Sequence, residues 1–246
     1  MYYLDFTDIS AFKNAKKQLW KYNQVWRKYS ARKYVGDCSY LYKKLLPTSY
    51  QDFYTKYTLD GLIRQNEDTT LRGRTQEEIY NIALQYQQEC DKTIDIDVYI
   101  KNIYMHVIIE TYDGQKIENE IKQRLLKDYN ISLSQSYGED DAVMGIDMKN
   151  NKYALQIKPI SFFRSNKNIS LIKDREHAFI KRYKCFQKYG INTYYIVYDI
   201  IDDKQYKLYE HSNGKITFYL EELCNKDGTV NSDNNNNLKY RIQNYL

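Results

Sequence analysis

Along residues 1–112 the apolar positions read as mostly helical, and from Asp113 onward they become a mixture of helix and short strands. Thr75 followed by Glu78 is a capping-box pattern, after which Ile79, Ile82, Ala83, Tyr86 and Cys90 fall on one helical face. A helix or turn restarts around Pro47 and Thr48. The apolar stretch Ile94–Ile109 suits a second helix or a strand, and periodicity does not decide which. Ile117, Ile121 and Leu125 recur every fourth residue and predict a helix over about 113–128. After a polar segment around Ser132–Asp141, the runs 143–148 (VMGIDM) and 153–159 (YALQIKP) predict two strands joined by the turn residues KNNK. A helix of roughly 171–189 follows, with Phe179, Tyr183 and Phe186 on one side and Gly190 and Asn192 at its stop. The run 193–200 (TYYIVYDI) is the strongest strand, with 204–210 as its antiparallel neighbour. These elements predict an α/β fold: a mixed β-sheet core with flanking helices, preceded by a mostly helical N-terminal region. No repeat or Pro/Gly-rich linker marks a sharp boundary, and the Asn-rich 231–237 reads as a polar loop without assignable chemistry.

Composition narrows the class. Only 2 Pro and 9 Gly among 246 residues argue against a loop-dominated chain, and 28 Tyr and 8 Phe supply bulky apolar area with polar tips. Cys38, Cys90, Cys185 and Cys224 form no CxxC pair, so neither a zinc site nor a disulfide framework is expected. No apolar run approaches a membrane span and Met1 is not followed by a leader-like pattern, so a soluble, cytoplasmic protein is expected, with no membrane partner. The net charge of +5 hides its distribution. Residues 11–44 hold ten Lys/Arg and one acid, residues 151–190 ten and two, and residues 61–120 six and twelve. Two basic segments suggest a polyanion surface, although solvated lysine-rich helices give the same pattern. The interleaved aromatics of WKYNQVWRKYSARKY (Trp20–Tyr34) favour nucleic acid.

The chemistry concentrates in the two strands. Side chains alternate along a strand, so Gly145 and Asp147 share one face of the first, opposite Met144, Ile146 and Met148. In the second, Ala154, Gln156 and Lys158 oppose Tyr153, Leu155 and Ile157. A carboxylate, an amide and an ammonium thus project from one side of a hairpin. Oxygen from Asp147, Gln156 and the carbonyl of Ile157 suits a hard divalent cation, Mg2+ or a substitute such as Mn2+. Lys158 is placed to orient water or offset developing charge on a phosphate. Glu118 borders the buried stripe of the preceding helix and is the further carboxylate, whereas Glu120 lines up with Arg124 and Lys127 on the polar face. Asp140 and Asp141 are rival ligands in a polar loop. His106, His177 and His211 share no metal-ligand spacing and read as structural or exposed, with His177 placed to touch phosphate beside Arg175. No phosphate-binding Gly loop or nucleophile elbow is present.

Asp147-x(8)-Gln156-x-Lys158, after a Glu-bearing helix and before a helix and strand, resembles the PD-(D/E)XK nuclease superfamily, with Gln where an acid is usual. The run GIDM…ALQIKPISF (Gly145–Phe162), with KYVGDCS (Lys33–Ser39) and GRTQEE (Gly73–Glu78), is similar to the MjaI-type type II restriction endonucleases. The resemblance implies a PD-(D/E)XK core over 113–246, magnesium-dependent site-specific cleavage of double-stranded DNA, and a companion DNA methyltransferase. Cutting both strands of a symmetric site calls for a homodimer. Residues 1–112 then form a DNA grip, with Arg27, Lys28, Arg32, Lys33, Arg72 and Arg74 as contacts and Arg164 and Lys167 beside the hairpin. A repair or junction nuclease of the same superfamily, and a non-catalytic DNA-binding module on a degenerate nuclease fold, stay open as alternatives.

Overall fold

Side-chain caps set where the helices of the N-terminal half begin. Asp37 accepts the Tyr40 N–H ahead of α4 (Cys38–Leu45), and Ser49 accepts that of Asp52 ahead of α5 (Tyr50–Ile63). Thr75 and Glu78 form the expected capping box of α6 (Gln76–Glu89), and Asp95 caps α7 (Ile96–Tyr104). Each cap satisfies an N–H that the first turn leaves without a helical partner and contributes about 1 kcal/mol. Upstream lie α1 (Ser10–Gln18), a 3₁₀ turn (Trp20–Tyr22), α2 (Asn23–Tyr29) and the single turn α3 (Arg32–Val35).

The computed structural model describes residues 4–136, 140, 144–159, 184, 185, 187–199, 205–212 and 215–217. The chain divides into two units, Met1–Asn119 and Glu120–Leu246. In the first, α1 and α6 pack on α7. The apolar stretch 94–109 is helical from Ile96 onward: α7 passes into a π-helical segment (Met105–Glu110) and then into α8 (Thr111–Tyr129). Its buried residues explain why. Tyr99, Ile100, Ile103, Tyr104, Val107 and Ile108 return every three to four residues, which a strand of period two cannot turn to one side. The core is built on rings, with Tyr29, Tyr57, Tyr86, Tyr99, Tyr104, Phe12 and Phe53 fully enclosed. Several phenols find acceptors there: Tyr57 donates to the Val35 carbonyl (2.9 Å), Tyr29 to Glu89 (2.6 Å) and Tyr99 to the Asp91 carbonyl (3.0 Å). The α5 backbone meets the segment 72–74 so closely that a Cβ on Gly73 would stand 1.9 Å from the Tyr57 carbonyl oxygen.

The second unit holds a mixed sheet in the order β1 (Ser134–Gln135), β2 (Met148–Lys149), β3 (Tyr153–Pro159), β4 (Asn192–Asp199), β5 (Gln205–Ser212) and β6 (Lys215–Thr217). β1, β2 and β3 are antiparallel neighbours; β4 runs parallel to β3, from Tyr153↔Asn192 to Pro159↔Tyr198; β5 returns antiparallel to β4. A parallel pair needs a crossover, and residues 184, 185 and 187–189 within that connection are helical. Gly190, at φ +68°, ends that helix in the left-handed conformation. Phe179, Tyr183 and Phe186 lie outside the described residues. In α8, Ile121 and Leu125 are buried as the stripe requires, and Ile117 is half-buried.

Candidate active site

β3 spans the residues its alternation predicts, but the first predicted strand is shorter than 143–148. Gly145 sits at φ +65°, outside extended geometry, and the ladder begins at Met148. Asp147 therefore stands just before β2, and its place on the sheet comes from hydrogen bonds. Its N–H donates to the Leu155 carbonyl (2.8 Å), and its carbonyl accepts from Ser136 N–H (2.9 Å). Its carboxylate Oδ2 accepts the N–H of Ile157 (2.5 Å), where a neighbouring strand would ordinarily offer a backbone carbonyl. The Asp147 N–H reaches the carbonyl of Leu155, which is already the ladder partner of Met148, so the regular β2–β3 register stops at Met148 and does not set Asp147 opposite Gln156.

Neither residue lies on an open face. Asp147 is 7 % exposed and Gln156 6 %, while Ala154, Leu155 and Ile157 are also buried. Ala154, on Gln156's side, packs with Met144, Ile146 and Cys185, so β3 is covered on both faces. A buried carboxylate and amide are costly unless satisfied, and the Ile157 N–H is one partner that meets this demand. Lys158 occupies the strand position two beyond Gln156, paired with Val197; its side chain lies outside the described residues. Glu118 is half-buried on α8 in the first unit.

The oxygen donors of this segment fit a hard divalent cation in kind: one carboxylate, one amide and the Ile157 main chain. Magnesium keeps several waters and takes only one or two carboxylates. Among the described residues no group of three His, Cys, Asp or Glu side chains comes together. Asp140, the rival ligand, belongs to an ion-pair cluster. Lys149 Nζ lies 2.6 Å from its Oδ2, Tyr189 donates to its Oδ1 (2.5 Å), and Lys188 stands 3.6 Å away. Burial raises the Asp140 carboxyl pKa, but the bonds from Lys149 and Tyr189 outweigh it and hold the group below the usual range. Burial likewise opposes the charge on Lys149, and the bond to Asp140 prevails and raises it. Lys149 also sits 3.7 Å from the Tyr189 ring centroid. Sequence reasoning missed this cluster; its one signal was Lys149 two residues beyond Asp147, on the same side by alternation. Asp141 lies outside the described residues.

The expected DNA contacts divide. Arg72 and Arg74 are 3 % and 2 % exposed, so neither is open to solvent. Arg72 makes a two-pronged pair with Glu78 (3.0 and 2.6 Å), and Arg74 donates to the carbonyls of Thr69, Arg72, Gly73, Lys33 and Arg32. As DNA contacts both are overturned: their guanidinium groups are turned inward and hold the segment 72–74 within the first unit. Lys28 and Arg32 are exposed but pair with Glu89 and Asp37, Lys33 lies over the Tyr34 ring, and Arg27 is exposed. Arg164, Lys167, Arg175 and His177 lie outside the described residues. His106 is structural: it stacks on Trp26 (centroids 4.9 Å apart) and its Nδ1 meets Glu110 at 2.5 Å.

Among the described residues no helix is long and apolar enough to cross a membrane. No curated protein and no solved structure matches the chain. A family model described as MjaI restriction endonuclease matches residues 17–223, most of the 246, and spans every element from α2 to β6. The chain therefore belongs to the MjaI restriction endonuclease family.

Proposed function

We propose that this chain is a type II endonuclease that hydrolyses phosphodiester bonds of double-stranded DNA at a fixed sequence, on a PD-(D/E)XK core and with a divalent cation. The observation that carries the reading is the burial of Asp147 and Gln156, with the Asp147 carboxylate bonded to the Ile157 N–H immediately before Lys158. The order of three antiparallel strands, a crossover and a parallel fourth strand supports the core assignment. When bound, magnesium supplies a Lewis acid that lowers the pKa of water and offsets phosphate charge. Asp147 provides the anionic oxygen, and its bond to Ile157 fixes the carboxylate's direction. Gln156 and the Ile157 carbonyl add neutral oxygens, and Lys158 offsets charge on the attacked phosphate. The sequence assigns a further carboxylate to Glu118. A homodimer follows from the need to cut two strands, and a companion methyltransferase from the need to spare the host's own sites.

The test is incubation of plasmid DNA with Mg2+, followed by sequencing of the ends. Discrete fragments with one common end sequence are expected. Asp147→Asn keeps an oxygen to accept the Ile157 N–H but removes the charge, and is expected to cut at least about 100-fold more slowly. Lys158→Ala is expected to bind DNA and fail to cut. A variant that cuts at the wild-type rate removes its residue from the chemistry. Gln156 in place of an acid favours one second reading, a DNA-binding module without cleavage; wild-type protein that binds and never cuts selects it.

A further inference from the structure

Residues 9–36 contain eight Lys/Arg and no acid. The structure separates them by ion pairing. Phe12, Ala15, Leu19, Trp26 and Tyr29 return every three to seven residues and are buried. Three of the cations are neutralised from elsewhere in the first unit: Lys16 by Glu110, Lys28 by Glu89 and Arg32 by Asp37. Lys13, Lys17, Lys21 and Arg27 are exposed. Lys21 rests 4.8 Å from the Tyr22 ring centroid, and Lys13, Lys17 and Arg27 have no acidic partner among the described residues. Trp20, next to Lys21 in the sequence, is 67 % exposed, while the other tryptophan, Trp26, is 5 % exposed and stacked on His106.

An indole left in water amid unpaired cations is explained by neither core packing nor ion pairing. We propose that the exposed surface of α1, the 3₁₀ turn and α2 binds the sugar–phosphate backbone of DNA, with Lys13, Lys17, Lys21 and Arg27 meeting phosphates and Trp20 packing on sugar or base edges. The inference rests on the nuclease reading and adds where the chain holds its substrate. Charge complementarity selects the partner. An anionic membrane is the lesser match, because interfacial helices bury a broad apolar face, and between residues 9 and 36 Trp20 is the one large apolar side chain among the described residues that is strongly exposed.

The experiment is a fluorescence titration of the whole chain with duplex DNA in EDTA, so that nothing is cut. Wild type is compared with Trp20→Phe to isolate the emission of Trp20. DNA is expected to quench Trp20 emission, and the signal is expected to be absent in Trp20→Phe. Lys13→Gln/Lys17→Gln is expected to reduce the slope of log K against log salt by about 1.8, from about 0.9 per phosphate contact. DNA binding with Trp20 emission and salt slope both unchanged overturns the inference and leaves the nuclease reading standing. A blue shift with phosphatidylglycerol vesicles but not with DNA overturns it in favour of a membrane surface. Wild-type protein that binds no DNA at all overturns both.

Discussion

Arg74 offers the sharpest separation between a residue that holds the fold and one that holds DNA. Its side chain is 2 % exposed and donates to five carbonyls: Thr69 (2.6 Å), Arg72 (2.8 Å), Gly73 (2.9 Å), Lys33 (3.0 Å) and Arg32 (3.3 Å). Burial pushes its pKa down, yet an arginine stays charged, so carbonyl dipoles hold a buried cation. Arg74→Met keeps the length of the side chain and removes every donor. Four bonds of 3.0 Å or shorter, at about 1.5 kcal/mol each for a charged donor, amount to about 6 kcal/mol. No longer burying the charge returns about 2, so the net loss is about 4 kcal/mol. At roughly 3–4 °C per kcal/mol for a unit of this size, the melting temperature falls by about 12–16 °C. Circular dichroism melts and urea titrations read this directly, with the midpoint moving and the urea slope unchanged. DNA affinity measured well below the transition keeps its wild-type salt dependence. A melting temperature within about 2 °C of wild type, with the salt slope reduced by about 0.9, refutes the structural assignment and makes Arg74 a phosphate ligand.

Two further outcomes follow from the same kind of accounting. Thr75→Ala removes the hydroxyl that accepts the Glu78 N–H and is expected to cost about 1 kcal/mol, with Thr75→Ser restoring it; equal urea midpoints for all three proteins contradict the cap. The Asp140 carboxyl titrates lower folded than unfolded, because Lys149 and Tyr189 outweigh burial. Its contribution is complete above the unfolded value of about 4 and is lost as pH falls through the depressed folded value. Stability of wild type and Asp140→Asn is therefore expected to converge in acid below about pH 4, and a gap that stays constant across that range rules this out.

Much of the fold was legible because its signals are local. The Thr75/Glu78 box, the stripe through Ile121 and Leu125, and the alternation of 153–159 each lie within one element. The stretch 94–109 was ambiguous because its apolar residues cover much of its circumference, and packing between α1 and α6 decides the outcome. β1 is two polar residues, visible only through the partner strand. At the site, the closeness of Asp147 to the second strand was readable from the short turn between them, but the bond to Ile157 was not, because it replaces a backbone bond with a side-chain one. Arg72 and Arg74 misled for a related reason. A Gly between two arginines before a helix looks the same whether the guanidinium groups turn outward or inward, and only the carbonyls gathered from residues 32, 33 and 69 show that Arg74 turns inward.

The ring-built interior of the first unit bears on how a chain with few aliphatic residues settles on one arrangement. A leucine fits wherever its volume fits, so an aliphatic interior can slide between near-equivalent packings. Tyr57 fits only where its hydroxyl reaches the Val35 carbonyl, and Tyr99 only where it reaches that of Asp91. These two rings couple filling of space to a directional bond, and a packing displaced by a fraction of a helical turn strands their hydroxyls in apolar surroundings.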